Sequence, residues 1–307
     1  MALNVDRYLD RRRLKRSLGW WRIVAITAFV SLAVVSVGQF DLLESGDYVA
    51  IIDIRSVIVD DPDRNVLLQE ISDDPEVKAV IVRINSPGGT VMAAESLFII
   101  LRVIAQNKPV VAVMRELATS AGYMIALGAD HIIAHQSTIT GSIGVLMQSA
   151  DVTELLANLG IKPQAIKSSP LKSQPNPLEP FSLEARKATQ KIISDIHTMF
   201  VDLVVERRKM ERSKASILSD GRIYTGRQAV GNGLIDSLGG EAEARDWLDK
   251  TQGINREIPL REVSVRRDHN NLLKLFGDLV GNTIICKSTN QLYDLIQQET
   301  KRQLRKL

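Results

Sequence analysis

The sequence predicts an α/β fold built on a largely parallel sheet, and three observations carry that expectation. Short runs of β-branched residues, apolar on both faces, alternate with stretches of helical spacing, and Gly/Pro turns separate them. Of the 307 residues, 45% are hydrophobic and 24% charged. Those are ordinary globular values, with enough apolar side chain for a sizeable core.

Tyr48 to Val59 (YVAIIDIRSVIV) reads as the first strand and Ala79 to Ile84 (AVIVRI) as the second, with a helical pattern over Asp63 to Ile71 between them. The turn Asn85-Ser86-Pro87-Gly88-Gly89 then leads into a helix from Val91 to Gln106. Pro109 to Met114 supplies the next strand, Leu117 to Leu127 a helix of small residues, and His131 to His135 another strand. Ile161 to Pro180, rich in Pro and Ser, reads as loop. Ser182 to Lys209 reads as a helix burying one stripe: Ile192, Ile193, Ile196, Met199, Phe200, Leu203 and Val204.

The two ends differ from this body. Ile23 to Phe40 contains no charged residue and follows Trp20, Trp21 and a cluster of Arg and Lys. That pattern predicts a transmembrane helix whose basic flank lies in the cytoplasm and whose body lies beyond the membrane. A cleaved signal peptide is the alternative, because Ser36 and Gly38 are small, but no A-x-A pattern is present. The expected organisation is a basic segment (1–22), an anchor (23–40), a linker (41–47), a catalytic domain (48–260) and a basic tail (261–307). The tail reads equally well as an amphipathic helix for a partner contact or as a weakly ordered extension.

Charge excludes one class of partner. Residues 1–22 carry +5 and residues 261–307 carry +4, against +3 for the whole chain, which leaves −6 on the body. An acidic body repels a phosphate backbone, so nucleic acid is not expected. Cys286 is the only cysteine, and the four histidines form no HExxH pair, so neither a disulfide within the chain nor a metal centre is predicted. No cofactor is expected.

A peptidase without histidine base, metal or thiol can pair a serine with a desolvated lysine. Ser120, in Thr119-Ser120-Ala121-Gly122-Tyr123, follows the strand PVVAVM and has small neighbours that allow substrate close to the backbone. The amide after the serine can bind an oxyanion, and the glycines of the NSPGG turn offer a second donor at Gly89. Alone, such a turn is usually only a turn, and such a serine usually caps a helix.

Their joint order carries more: IVRINSPGG, LATSAGYMIALGADHI, TGSIGV, IKSSPLKS and DGRIYTGRQAVGNGLIDSLGG. From about Tyr48 to about Trp247 this resembles the signal peptide peptidase A family. The resemblance implies a Clp protease/crotonase-like fold of repeated β-β-α units behind an N-terminal transmembrane helix. It also implies a Ser/Lys dyad, which falls on Ser120 and Lys172, with oxyanion donors at Gly89 and Ala121. Ser142 falls where a hydroxyl could hold the lysine. The implied substrates are hydrophobic peptides such as cleaved signal peptides, at the outer side of a bacterial inner membrane. The implied assembly is a ring-shaped homo-oligomer in which the lysine serves a neighbour's serine.

Two departures stand out. Ala121 replaces the middle glycine of the family's S-G-G, though it keeps the N–H, and Ser169 and Pro170 stand where the lysine block often has Gly. Lys167 is the fallback base. At pH 7 a lysine with the ordinary pKa of about 10.4 is neutral only ~0.04% of the time, so the base must be desolvated in the active assembly. His131 beside Asp130 at a strand start points away from it and makes a poor Ser/His/Asp set. Two rival functions remain: a crotonase-like acyl-CoA enzyme, and a catalytically silent membrane scaffold.

Overall fold

The computed structural model describes residues 18–29 and 46–264. The first stretch is helical throughout (α1, 18–29) and exposed. It covers residues 23–29 of the expected anchor, and residues 30–40 lie outside the described residues. Among the described residues no helix is long and apolar enough to cross a membrane.

The body opens with β1 (Tyr48–Arg55), α2 (Pro62–Asp73), β2 (Val77–Ser86), α3 (Val91–Ile104) and β3 (Val110–Thr119). Then follow α4 (Ala121–Ala126), β4 (His131–Ala134), β5 (Ile139–Gly141), α5 (Thr153–Asn158) and α6 (Leu183–Arg208). The rest is α7 (Arg212–Leu218), β6 (Ile223–Thr225), α8 (Gly226–Asn232), β7 (Ser237–Leu238), α9 (Glu241–Gln252) and β8 (Leu260–Glu262). β8 pairs with β1 and so carries the sheet past residue 260. Helices α2 and α6 start on side-chain caps: Asp61 accepts from Arg64 N–H before Pro62, and Ser182 accepts from Ala185 N–H.

One sheet runs β6-β5-β3-β2-β1-β8, with β4 also on β3 and β7 on β4. Every pairing is parallel except β5 with β6. The period of two sorts the strand side chains between two cores. Ala50, Ile52, Val80, Val82, Ala112 and Met114 face the larger one, with Leu97 and Leu101 of α3 and Phe200 of α6. Val49, Ile51, Ala79, Ile81, Val111 and Val113 face the other, closed by Ala244 and Leu248 of α9. Burial on both faces accounts for the near-continuous apolar runs that the strands show in sequence.

Three expectations are corrected. β1 ends at Arg55, and Ile58 survives only as an isolated bridge to Gly89. The expected helix from Leu117 begins only at Ala121, because Leu117–Thr119 pair with Ile139–Gly141 and extend β3. A partner strand there outweighs the weak helix preference of small residues. In α6, Phe200 and Val204 are buried as expected, but Ile192 is exposed and the first half of the helix leaves the core.

Candidate active site

β3 does two jobs. Val111–Met114 pair with β4 and Leu117–Thr119 pair with β5, so the strand runs past the end of β4 and delivers Ser120 at its carboxyl end. Carboxyl ends of parallel strands are where open α/β sheets place their ligands. Ser120 has φ 53° and ψ −118°, a conformation that costs a non-glycine residue about 1–3 kcal/mol. It is held from both sides: its N–H donates to Gly141 O at 2.8 Å, and its carbonyl accepts from Met124 N–H at 3.0 Å. All six residues of α4 behind it are buried. Tyr123 fixes that helix through a hydroxyl donated to Leu234 O at 2.8 Å, and burial pushes the phenol's pKa up. Arg207 holds the far end of α4 by donating to Leu127 O and Ala129 O.

The Pro87–Thr90 loop lies directly against this turn. Gly88 has φ +117°, and a Cβ on it would stand 3.0 Å from the Cβ of Ser120. Gly89 sits so close to β1's extension that a Cβ would fall 1.9 Å from Ile58 O. Its bridge to Ile58 uses the neighbours' groups: Ile58 N–H donates to Gly88 O at 2.8 Å and Thr90 N–H donates to Ile58 O at 2.9 Å. In such a parallel bridge the middle residue's own N–H and C=O point the other way, so Gly89 N–H is turned from Ile58. Ala121 opens α4, and the first N–H of a helix has no partner within it.

Ser142 directly follows Gly141, just past the end of β5, with φ 49° and its N–H donated to Arg222 O at 2.8 Å. Ser120, Gly89, Ala121 and Ser142 therefore converge at one end of the sheet. Two further hydroxyls, Ser86 and Thr119, brace the glycine loop from beneath, and sequence reasoning passed over them. The signal was slight, because both hydroxyls end strands that already carry polar residues, Arg83 and Asn85 in one and Arg115 and Glu116 in the other.

The lysines stand differently. Lys172 lies on the segment between α5 and α6, exposed, and its ammonium has no partner among the described residues. Lys167 is half-buried and paired with Glu179, whose carboxyl it holds below the ordinary range by a hydrogen bond. The Lys167 amine is thereby committed to Glu179. Among the described residues no side chain bonds the Ser120 hydroxyl, and no group of His, Cys, Asp and Glu could hold a metal. His131 instead stacks on Trp247 with centroids 4.8 Å apart and meets the Ser237 hydroxyl at 3.0 Å, at the opposite end of its strand from the serine site.

A serine on a strained strand-to-helix turn, with a glycine of the neighbouring loop packed against it, has the local shape of a nucleophile elbow. Residues 102–255 match peptidase family S49. A Synechocystis protein with a provisional protease name is 36% identical over 194 residues, 62% of this chain and 70% of its own. An Enterococcus faecium protein provisionally named signal peptide peptidase SppA is 34% identical over 218 residues, 71% of this chain and 62% of its own. Among solved structures, a serine-to-alanine mutant of a membrane-bound stomatin-specific protease superposes with a TM-score of 0.47. It is 15% identical, and the match covers 72% of this chain and 99% of that one. The chain belongs to peptidase family S49, the signal peptide peptidase A family of serine peptidases. The match spans less than two thirds of the Enterococcus relative's length.

Proposed function

We propose that this chain is a membrane-anchored serine endopeptidase of Clp protease/crotonase-like fold that degrades hydrophobic peptides, cleaved signal peptides among them. Ser120 is the nucleophile and Lys172 the general base. The observation that carries the reading is the strained Ser120 backbone with Gly88 of the glycine loop held against it. Strain at a single serine persists only where the surroundings enforce it, and here the turn keeps Ser120 half-buried beside the glycine loop.

In the proposed cycle neutral Lys172 takes the Ser120 proton as Oγ attacks the peptide carbonyl. Gly89 and Ala121 N–H groups stabilise the oxyanion, and the lysine returns the proton to the leaving amine. Water, deprotonated by the same lysine, then releases the acyl-enzyme.

Within one chain Lys172 is exposed, so its desolvation is assigned to a neighbouring copy in a ring. The segment that carries it supports this. No residue from Gly144 to Glu184 is buried, although Leu146 and Leu159 there are 80% and 65% exposed. Apolar side chains in that number call for a covering surface.

The test is hydrolysis of a fluorogenic hydrophobic peptide by the full chain in detergent, beside Ser120→Ala and Lys172→Ala. Loss in both variants supports the dyad. Full activity in Lys172→Ala sinks it, and an inert wild type whose serine takes no fluorophosphonate label favours the scaffold. Turnover of an acyl-CoA instead of peptide favours the crotonase-like alternative.

A further inference from the structure

Resting on the peptidase reading, we infer that Ser86 and Thr119 are positioning residues. Their buried hydroxyls decide which amide of the glycine loop is left to bind the oxyanion.

Ser86 is fully buried at the end of β2, directly under the nucleophile turn: a Cβ on Gly122 would stand 3.2 Å from Ser86 O. Its hydroxyl has one proton, and the closer acceptor is Ser56 O at 2.6 Å, with Gly88 O at 3.3 Å. Having donated to Ser56, the oxygen accepts the Gly88 N–H at 3.1 Å. Gly88 O is already taken by Ile58 N–H. One serine side chain thus fastens the glycine loop to the end of β1 and consumes the first of its two glycine amides.

Thr119, 6% exposed and next to the nucleophile, donates its hydroxyl to Pro87 O at 2.9 Å. That bond ties the loop to β3 in the residue before Ser120. With Pro87 lacking an N–H and Thr90 N–H spent on Ile58 O, Gly89 carries the one amide of the loop with no partner among the described residues. The loop is therefore fastened on both sides, to β1 through Ser86 and to β3 through Thr119. Such fastening is what a preorganised oxyanion donor requires, because a donor that must reorient during reaction gives up much of its effect.

The test uses the full chain with Ser86→Ala, Thr119→Val, which removes the hydroxyl at nearly constant shape, and Thr119→Ser, which keeps it. Each is assayed for kcat, KM and thermal midpoint. Each is also assayed for affinity toward a peptide aldehyde, which forms the tetrahedral adduct, and toward the unreactive amide of the same peptide. The expected result is a loss of roughly 10- to 100-fold in kcat and in aldehyde affinity for Ser86→Ala and Thr119→Val. KM and amide affinity stay within about twofold, and Thr119→Ser recovers most of the loss. Should Ser86→Ala not fold, Thr119→Val with Thr119→Ser decides alone. Unchanged kcat in the hydroxyl-free variants, or equal losses toward aldehyde and amide, overturns the inference while leaving the peptidase reading standing. A wild type with neither turnover nor serine labelling removes both.

Discussion

Ser120 and Gly141 are joined by a 2.8 Å hydrogen bond from the serine N–H to the glycine carbonyl, and both residues lie at positive φ. The strain at Ser120, the proposed nucleophile, is thus held by a neighbouring strand that itself ends on a left-handed glycine. A Cβ on Gly141, at φ +82°, would fall 2.7 Å from a ring carbon of Tyr224 and 3.0 Å from Arg222 O.

Gly141→Ala is expected to lower stability by about 3 kcal/mol, left-handed backbone and overpacking together, and to lower kcat as Ser120 loses its support. Gly253→Ala is the control. That residue caps α9 at φ +69° with nothing within 4 Å of a Cβ, so it should cost about 1–2 kcal/mol and leave kcat unchanged. Urea titration with parallel rate measurements separates the two. Equal effects on kcat would detach Gly141 from the site.

Gly89→Ala is a harsher change. Its Cβ would collide with the Ile58 carbonyl, backbone against backbone, so the loop must leave β1 and both bridging hydrogen bonds must open. Activity should drop at least ~100-fold as the donor moves. A variant that retains wild-type kcat would remove Gly89 from the oxyanion site.

How far the sequence disclosed this site depends on the residue. The βαβ rhythm was legible because both faces of the sheet are covered, so Val49–Ile52 and Ala79–Val82 are apolar without alternation. The end of β3 was not. Leu117–Thr119 carry no strand pattern of their own, and β5, paired with them from 22 residues downstream, decides their conformation. The glycine loop and Ser120 were legible as a motif, but the bracing hydroxyls of Ser86 and Thr119 become visible only once β1, β2 and β3 lie side by side. The first half of α6 was misread because helical periodicity reports that a face is apolar, not what covers it.

Acid should destabilise the body through Asp236. Burial raises its carboxyl, but the Arg208 guanidinium and Ile132 N–H outweigh that and hold its pKa below the ordinary range. A carboxyl depressed in the folded state stabilises above its unfolded pKa of about 3.9, and that contribution is lost as pH falls through the folded value. His131 acts in the same direction at higher pH: burial lowers its pKa, so stability falls as pH drops below about 6.5. Urea midpoints measured from pH 7 to 3 should decline in two stages, with Asp236→Asn flattening the lower and His131→Gln the upper. A midpoint constant across that range would contradict both assignments.

Whether serine and lysine come from one chain or two is decided by mixing. If Lys172 serves the serine of the next copy, Ser120→Ala and Lys172→Ala chains, each inert alone, complement one another once unfolded and reassembled together. With random placement in a ring, a site needs an intact serine from one copy and an intact lysine from its neighbour. About a quarter of the sites meet that condition. A dyad within one chain gives no recovery at any ratio, since every chain then carries one broken half. The exposed apolar segment sharpens the test: Leu159→Asp, placed where no core depends on it, should abolish assembly by light scattering and activity together while leaving the thermal midpoint of the body unchanged. An assembled, active Leu159→Asp ring would show that this side chain is not part of the contact, and a monomeric active one would return the lysine to its own serine.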